Sequence, residues 1–245
     1  MKKILFSAWM VALVALAGCQ QNDELTGVDK KVSLTADIKG STQSRVAMEF
    51  VTGVDGDSKI KVDWKDSGES FKLYDDNDDT VQPTIFNQTS GNKFEGVLPS
   101  ESGSYKAVYG GPNLNDQDGT LNEDYVWMEA FVNDLTNTIE FEHKTAVLKP
   151  TLLLNGNVVN ANISEIQMEG AWDFNDNPII TITPQESDIF IFIPADAPYE
   201  ENYTFYFMVS LGDAEYRAEL TISQNIEAGL FYTARITLRE IEPEV

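Results

Sequence analysis

The chain has 245 residues, of which 42% are hydrophobic and 23% are charged, and its formal net charge at pH 7 is −23. A protein with this much negative charge repels the phosphate backbone of nucleic acids. Because nucleic-acid affinity depends on basic residues that displace counterions, the composition argues against a nucleic-acid-binding protein. With one cysteine and one histidine, the chain has no internal disulfide, thiolate zinc cluster or site built from several imidazoles.

The N-terminal residues have the pattern of an exported lipoprotein. Two lysines precede a short apolar run over residues 4–16, which leads into the tetrapeptide Leu-Ala-Gly-Cys with Cys19 as its last residue. The run is shorter than the roughly 20 residues of a membrane-spanning helix and is typical of a secretory signal peptide. Since the tetrapeptide matches the bacterial lipobox, we predict that residues 1–18 are removed and that Cys19 is lipidated and anchors the protein to a membrane. The alternative is an ordinary cleaved signal peptide that ends beside an unmodified cysteine.

The tether and a first set of strands follow. Residues 19–31 are polar and have no apolar period, which predicts a flexible tether. From residue 32 onward apolar and polar residues alternate as in half-buried strands, and clusters of Gly, Asn and Asp separate the alternating stretches. The segment 144–154, which contains Pro150, is interpreted as a strand or a crossover. The strands predicted in this half are 32–38, 60–64, 71–73, 93–98, 105–109, 125–132 and 138–143.

The same pattern starts again after Pro150. Asn155-Gly156 and Gly212-Asp213 are predicted hairpin turns, because Asn and Gly accept a positive φ. No long segment has the 3.6-residue period of a helix. The length left after cleavage suits two domains or one large sandwich, and we predict an all-β chain of two β-sandwich domains, residues 32–148 and 149–245. The strands predicted in this half are 152–154, 163–168, 179–183, 189–194, 203–211, 215–222 and 230–238.

The residues that support enzyme chemistry are few. His143, the only histidine, ends an alternating strand, where a structural role in the strand or at a domain junction is the favoured interpretation. The chain contains no nucleophile elbow, zinc-binding helix motif or phosphate-binding glycine loop. A pair of carboxylates is enough for glycoside hydrolysis, but the sequence singles out no such pair. We therefore predict that the protein is not an enzyme.

One acidic turn resembles the opening of a calcium loop. Asp75, Asn77 and Asp79 place side-chain oxygens at alternate positions, but Thr80 stands where an EF-hand has glycine and Phe86 where it has glutamate. The turn is not an EF-hand, and a solvated hairpin tip is the favoured interpretation. These three residues are kept as calcium candidates, and no other cofactor is predicted.

Aromatic residues and one arginine allow two interpretations each. Trp64, Trp127 and Trp172 can form a sugar-binding platform or pack in the core, and packing is favoured. Arg45 ends a polar stretch after the first predicted strand, where a trypsin-like protease has access to the chain. The alternative for Arg45 is an ordinary surface arginine.

Several segments together resemble the fimbrillin-like lipoproteins of Bacteroidetes, which include the major and accessory subunits of protease-assembled, type V pili. Gly68-Glu69 departs from the Gly-Asp usual in that family. The matching segments are the lipobox, the strand 32–38 followed by a Thr/Ser stretch and Arg45, then 62–64 leading to 71–75, 105–109, 141–148 and 229–238.

The resemblance implies a structural or adhesive component of fimbriae. Its two β-sandwich domains would have transthyretin-like, Greek-key topology, and it would be lipid-anchored to the outer membrane and surface-exposed. The acidic stretch 20–24 partly matches a surface-export signal. In polymerising members, cleavage at an arginine after the first strand frees a groove that a strand of another subunit fills by main-chain hydrogen bonds. The implied partners are the membrane, other pilus subunits and host proteins or glycans. The alternative is a surface glycan-binding lipoprotein of a nutrient-uptake system.

Overall fold

The fold is described by a computed structural model over residues 31–39, 49–52, 58–61, 64, 68–111, 114–133, 135–136, 138–170, 178–195, 203–222 and 226–241. These residues are nearly all strand, turn or loop, which confirms the all-β prediction. Two 3-10 helices, Glu123–Tyr125 and Asn160–Asn162, are the helices of the described part of the chain. The strands are β1 (Lys31–Ile38), β2 (Glu49–Thr52), β3 (Ser58–Lys61), β4 (Ser70–Asp75), β5 (Thr84–Ser90), β6 (Lys93–Val97), β7 (Tyr105–Tyr109), β8 (Asp116–Gln117), β9 (Met128–Val132), β10 (Ile139–His143), β11 (Thr145–Leu154), β12 (Asn157–Val158), β13 (Glu165–Glu169), β14 (Ile179–Ile182), β15 (Ile191–Pro194), β16 (Thr204–Leu211), β17 (Ala214–Thr221), β18 (Phe231–Thr237) and β19 (Arg239–Glu240).

Seven strands close into a barrel in the order β1, β10, β9, β7, β4, β5 and β6. Strand directions alternate around the barrel, and because seven is odd, alternation leaves one pair of neighbours parallel. That pair is β1 with β10, whereas β1 runs antiparallel to β6. Closure gives every barrel strand two neighbours, and β1 pairs with its two in succession, with β6 through residues 31–35 and with β10 through residues 36–38. The sequence did not lead us to expect a closed barrel, and transthyretin-like topology stays a prediction.

The interior of the barrel is packed with aromatic rings. Phe71 stacks on Phe86 with ring centroids 5.3 Å apart, and the Trp64 ring meets Phe94 edge to face at 5.1 Å. Such pairs are each worth roughly 0.5–1.5 kcal/mol beyond the area they bury. The alternation seen in the sequence is thereby explained, because its apolar residues are the ones that point inward. The aromatic side chains at most 2% exposed in this part of the chain are Trp64, Phe71, Phe86, Phe94, Tyr105 and Phe141.

The long strand β11 organises a second sheet. It pairs with β15 through residues 145–148, with β12 through residues 153–154, and with β18 in parallel through residues 147–153. Pro150 in its middle has no N–H to donate. The Asn160 side chain bonds to the strand there: its Nδ2 donates to Pro150 O at 2.9 Å, and its Oδ1 accepts from Leu152 N at 2.8 Å. The segment 144–154, for which the sequence allowed either a strand or a crossover, is therefore a strand.

A third sheet has the order β19, β17, β16, β13, β14 and β8. The β16–β17 hairpin turns at Gly212, whose φ of +61° fits the predicted turn. Strand β8 comes from the connection between two barrel strands and pairs in parallel with β14. Strand β11 runs across residues 148 and 149, and the proposed division of the chain at that point stays a prediction.

Gln117 in β8 ties this sheet to the neighbouring one. Its buried side chain accepts from Phe192 N at 2.8 Å and donates to Phe192 O at 2.8 Å, so that one amide satisfies both backbone groups of a β15 residue. It also donates to Leu114 O at 2.9 Å. A side-chain amide thus takes the place of a strand partner for Phe192.

The strand predicted over residues 125–132 begins later, at Met128. Asn122 Oδ1 accepts the N–H of Asp124 at 3.0 Å, and the Tyr125 hydroxyl accepts the N–H of Asp118 at 2.9 Å. These bonds stabilise the 3-10 turn over residues 123–125, which takes Tyr125 out of the predicted strand. Within the described residues, no helix is both long enough and apolar enough to cross a membrane.

Candidate functional site

Strand β1, the segment that the family resemblance singles out, closes the barrel. Residues 31–35 pair with β6, and residues 36–38 pair with β10. Its inward side chains Leu34, Ala36 and Ile38 are each at most 5% exposed. The groove that β1 occupies is therefore lined by backbone groups of two strands along its sides and by apolar side chains at its floor.

Trp64 fixes the middle of β1 from inside the barrel. Its indole N–H donates to Ala36 O at 2.7 Å, and its ring packs edge to face on Phe141 at 5.5 Å. Because Trp64 is only 2% exposed, the interpretation that it packs in the core is confirmed. Trp127 is half-buried, and its indole N–H lies 3.3 Å from Glu129 Oε1. Trp172 lies outside the described residues.

The outward side of β1 is held by exposed polar contacts. Lys31 pairs with Glu95 at 2.8 Å and Lys39 with Glu142 at 2.6 Å. Contact with Lys39 lowers the pKa of Glu142. Exposed ion pairs of this kind contribute roughly 0–1 kcal/mol each, so the apolar floor and the main-chain bonds supply most of the hold on β1.

Two residues predicted to be modified, Cys19 and Arg45, lie outside the described residues. Arg45 belongs to the connection between Lys39, the last described residue after β1, and β2. Lipidation at Cys19 and proteolysis at Arg45 remain predictions.

Of the calcium candidates, Asp75 is the last residue of β4, and Asn77 and Asp79 lie in the turn between β4 and β5. Asp75 is only 6% exposed, and its Oδ1 accepts the N–H of Asn77 at 2.8 Å, as in an Asx turn. The hydroxyl of Ser100, together with that backbone N–H, lowers the pKa of Asp75. Among the described residues, no group of three or more His, Cys, Asp or Glu could hold a metal ion. Calcium binding remains a prediction.

His143 ends β10 beside the segment that leads into β18. A Cβ built on Gly229, whose φ is +75°, would lie 3.3 Å from His143 Cδ2. Burial lowers the pKa of His143 to about 4, so the imidazole is neutral at physiological pH. His143 thus lies against the backbone of the segment that leads into β18, and its structural role at a domain junction stays a prediction.

A cavity of about 310 Å³ lies between β4, β5, β7 and the first 3-10 helix. Ile85, Lys72 and Val108 stand side by side on the three strands and form part of its wall. Glu69 and Asp124 bring carboxylates to it, and the lining also includes Ser70, Tyr109, Gly68 and Gly110.

Tyr109 and Glu69 form the most buried polar pair of this cavity. The Tyr109 hydroxyl donates to Glu69 Oε2 at 2.7 Å. Burial, followed by the hydrogen bond and charge of Glu69 and the charge of Asp124, raises the pKa of Tyr109 far above its usual range. The hydroxyl therefore stays protonated at all physiological pH values.

Sequence reasoning missed this cavity. Its carboxylates are two of the 40 acidic residues of the chain, and no spacing connects Glu69 with Asp124. The available signals were the glycines, since Gly68 precedes Glu69 and two glycines follow Tyr109. A Cβ on Gly110 would lie 1.9 Å from Val126 O, so the backbone approaches too closely there for any other residue.

No family model and no curated protein matches the chain. Among solved structures, it is similar to a candidate cell adhesion protein from Bacteroides ovatus, with 15% identity over 88% of this chain and 97% of that chain and a TM-score of 0.45. A shaft pilin from Lactobacillus rhamnosus GG shares 12% identity over 89% of this chain and 99% of its own, with a TM-score of 0.28. The major pilin of Streptococcus pyogenes shares 10% identity over 87% and 99% of the two chains, with a TM-score of 0.20. Similarity at these TM-scores does not establish a shared fold or function.

Proposed function

We propose that the protein is a structural and adhesive subunit of a surface pilus, in which strand β1 is exchanged for a strand of another subunit after cleavage at Arg45. The proposal includes the lipid anchor at Cys19, attachment to the outer membrane with exposure to the outside, and assembly into fimbriae. The two transthyretin-like sandwich domains implied by the family resemblance also belong to it.

The observation that carries the proposal is the position of β1. It is the first strand of the described chain, it completes the barrel, and its covalent link to the rest of the barrel runs through the connection that contains Arg45. Cutting that connection leaves β1 attached to the barrel by noncovalent contacts alone. Its departure would unpair the facing edges of β6 and β10, and each backbone N–H and C=O there needs a partner.

The energetics favour exchange over spontaneous loss. Complete burial of a Leu or Ile side chain contributes roughly 1.5–3 kcal/mol, and β1 buries both Leu34 and Ile38 in this way. Main-chain bonds to two strands add roughly 0.5–1.5 kcal/mol each. A nicked subunit would therefore keep β1 until a competing strand with the same alternation supplies equivalent contacts.

Arginine-specific cleavage provides a sharp test, because the arginines of the chain are Arg45, Arg217, Arg235 and Arg239. The last three lie in paired strands β17, β18 and β19, whose backbone is not free to enter a protease cleft. We expect an arginine-specific protease to cut the purified protein after Arg45 and to produce ladders that survive mild denaturant. Mass spectrometry of protein from cells should find N-termini at lipidated Cys19 and at Val46.

Arg45→Ala should abolish both the cut and the ladders, whereas the matched control Arg235→Ala should leave them unchanged. Ladders that form equally well in Arg45→Ala would show that Arg45 is only a surface residue. Complete absence of ladders in the parent protein would rule out a polymerising stalk subunit and favour an anchor, a tip or the glycan-binding alternative.

A further inference from the structure

Trp64 takes the place of a strand partner in the middle of β1. Strand β6 begins at Lys93, which pairs with Thr35, so Ala36 lies just beyond the end of β6. The Ala36 carbonyl accepts the indole N–H of Trp64 at 2.7 Å, and the Ala36 N–H donates to Asn92 O at 2.8 Å. Both backbone groups of Ala36 are therefore satisfied by residues outside the β1–β6 ladder.

The side chain of Ala36 is the smallest of those that β1 directs into the barrel. It is fully buried and stands between the larger inward side chains Leu34 and Ile38. The Trp64 ring beside it is enclosed by three aromatic rings whose centroids lie 5.1 to 5.5 Å away, those of Phe94, Tyr109 and Phe141. In so closely packed an interior, a longer side chain at the Ala36 position would displace packed neighbours and weaken the hold on the strand.

Main-chain pairing alone does not fix the register of a strand between β6 and β10. A strand shifted by two residues keeps its apolar side chains inward and regains its ladder bonds. Such a shift would, however, bring a side chain as large as Leu34 or Ile38 to the Ala36 position. A shift by one residue would turn the carbonyl away from the Trp64 indole, because successive carbonyls of a strand point in opposite directions.

We infer that Trp64 is the specificity-determining residue of the β1 groove, which is the space between β6 and β10 that β1 occupies. It selects a strand with a small residue at the Ala36 position and large apolar residues two positions away on each side. Proline is excluded there, because Asn92 O requires an N–H donor. The inference rests on the strand exchange proposed above and names the partner, an extended segment of another subunit with this pattern.

The position of Trp64 in the sequence gives it this role after cleavage. Trp64 follows Arg45, so it stays with the groove when β1 leaves. Its buried indole N–H then lacks an acceptor until an incoming strand supplies a carbonyl in the correct register.

The test measures the binding of labelled peptides to the nicked, full-length mature protein by fluorescence anisotropy. A recognition site for an unrelated protease, inserted after Arg45, provides the nick, so the test does not depend on natural processing at Arg45. The probe is a peptide of residues 31–39, which exchanges with the cut β1 in mild denaturant. The Ala36→Leu peptide should bind roughly tenfold more weakly than the native peptide because it overpacks the interior. The matched control Ser33→Leu, on the exposed face of β1, should bind within about twofold of the native peptide.

A peptide with sulfur in place of the Ala36 carbonyl oxygen tests the hydrogen bond itself. Because a thioamide is a weaker acceptor, this peptide should bind the parent protein about fivefold more weakly than the native peptide does. Trp64→Phe has no N–H to donate and should lose most of this penalty. Trp127→Phe is the matched control, since the Trp127 indole lies beside Glu129, and it should keep the penalty.

Equal binding of the native and Ala36→Leu peptides would overturn the inference, and so would the same thioamide penalty in the parent protein and in Trp64→Phe. If Trp64→Phe does not fold, the two peptides on the parent protein still decide. Ladders that depend on Arg45, without discrimination between the peptides, would overturn this inference and leave the proposed function standing. Discrimination without ladders would support the inference and exclude a polymerising stalk subunit. Failure of every peptide to bind would overturn both proposals.

Discussion

The Gln117 amide offers the sharpest test of how the sheets are held together. Gln117→Met keeps an unbranched side chain of similar length but removes the hydrogen bonds to Phe192 N, Phe192 O and Leu114 O. Leu114 and Phe192 are both fully buried, so water does not replace the lost bonds. A buried backbone group without a partner costs roughly 1–3 kcal/mol. With three such groups at the lower end of that range, we expect a loss of about 3 kcal/mol in the free energy of unfolding.

Urea unfolding followed by circular dichroism measures this loss. With a slope of roughly 1–3 kcal/mol per molar urea, the midpoint should fall by about 1 M or more. Gln167→Met is the matched control, since Gln167 lies in the same sheet, is exposed, and its side-chain amide donates to Glu165 Oε1. Its effect should stay within about 0.5 kcal/mol. Equal midpoints for the two variants would refute the idea that Gln117 acts as a strand substitute for β15.

Two further predictions concern the junction at His143. Gly229→Ala should destabilise the protein more than Gly212→Ala. Both glycines have positive φ, but only the Cβ added at Gly229 would meet a side chain, that of His143. Equal decreases in the melting temperature of the two variants would show that backbone strain alone determines the effect. His143 has a pKa of about 6.5 in the unfolded chain, whereas burial lowers its pKa to about 4 in the folded protein. Between these two pH values the unfolded chain binds a proton that the folded protein does not, so the free energy of unfolding should fall by about 3 kcal/mol as the pH drops through this range. His143→Gln should remove that part of the pH dependence, and parallel pH–stability curves for the two proteins would contradict the assignment.

The alternation of apolar and polar residues along the chain is the reason why the sequence predicts individual strands. A side chain that points inward at every second position leaves a period of two, and the strands at residues 32–38 and 203–211 follow it closely. The turn at Asn155-Gly156 was likewise predictable, since both residues have positive φ.

Pairing between distant segments is what the sequence conceals. The strands of a sandwich and of a barrel have the same two-residue alternation of apolar and polar side chains. The sequence of β1 and β10 therefore does not indicate that the two strands pair and close a barrel. Gln117 looks like any polar turn residue until Phe192 is brought beside it, and Asn160 gives no sign that it bonds across the proline in β11. The cavity at Glu69 and Tyr109 is concealed for the same reason, since its lining comes from three strands and a 3-10 turn.

The parallel seam between β1 and β10 also has a consequence for folding kinetics. During synthesis or export from the N-terminus, β1 emerges first, yet its partners arrive late: Lys31 pairs with Val97 and Ala36 with Ile139. Pairings so distant in sequence pay a large loop-closure entropy before they gain contacts, which makes them slow. The nascent chain therefore carries an apolar β1 that lacks its β10 partner until residues 139–141 have been translocated. That interval is when misassembly competes with barrel closure, so a holding chaperone should raise the yield of closed monomer.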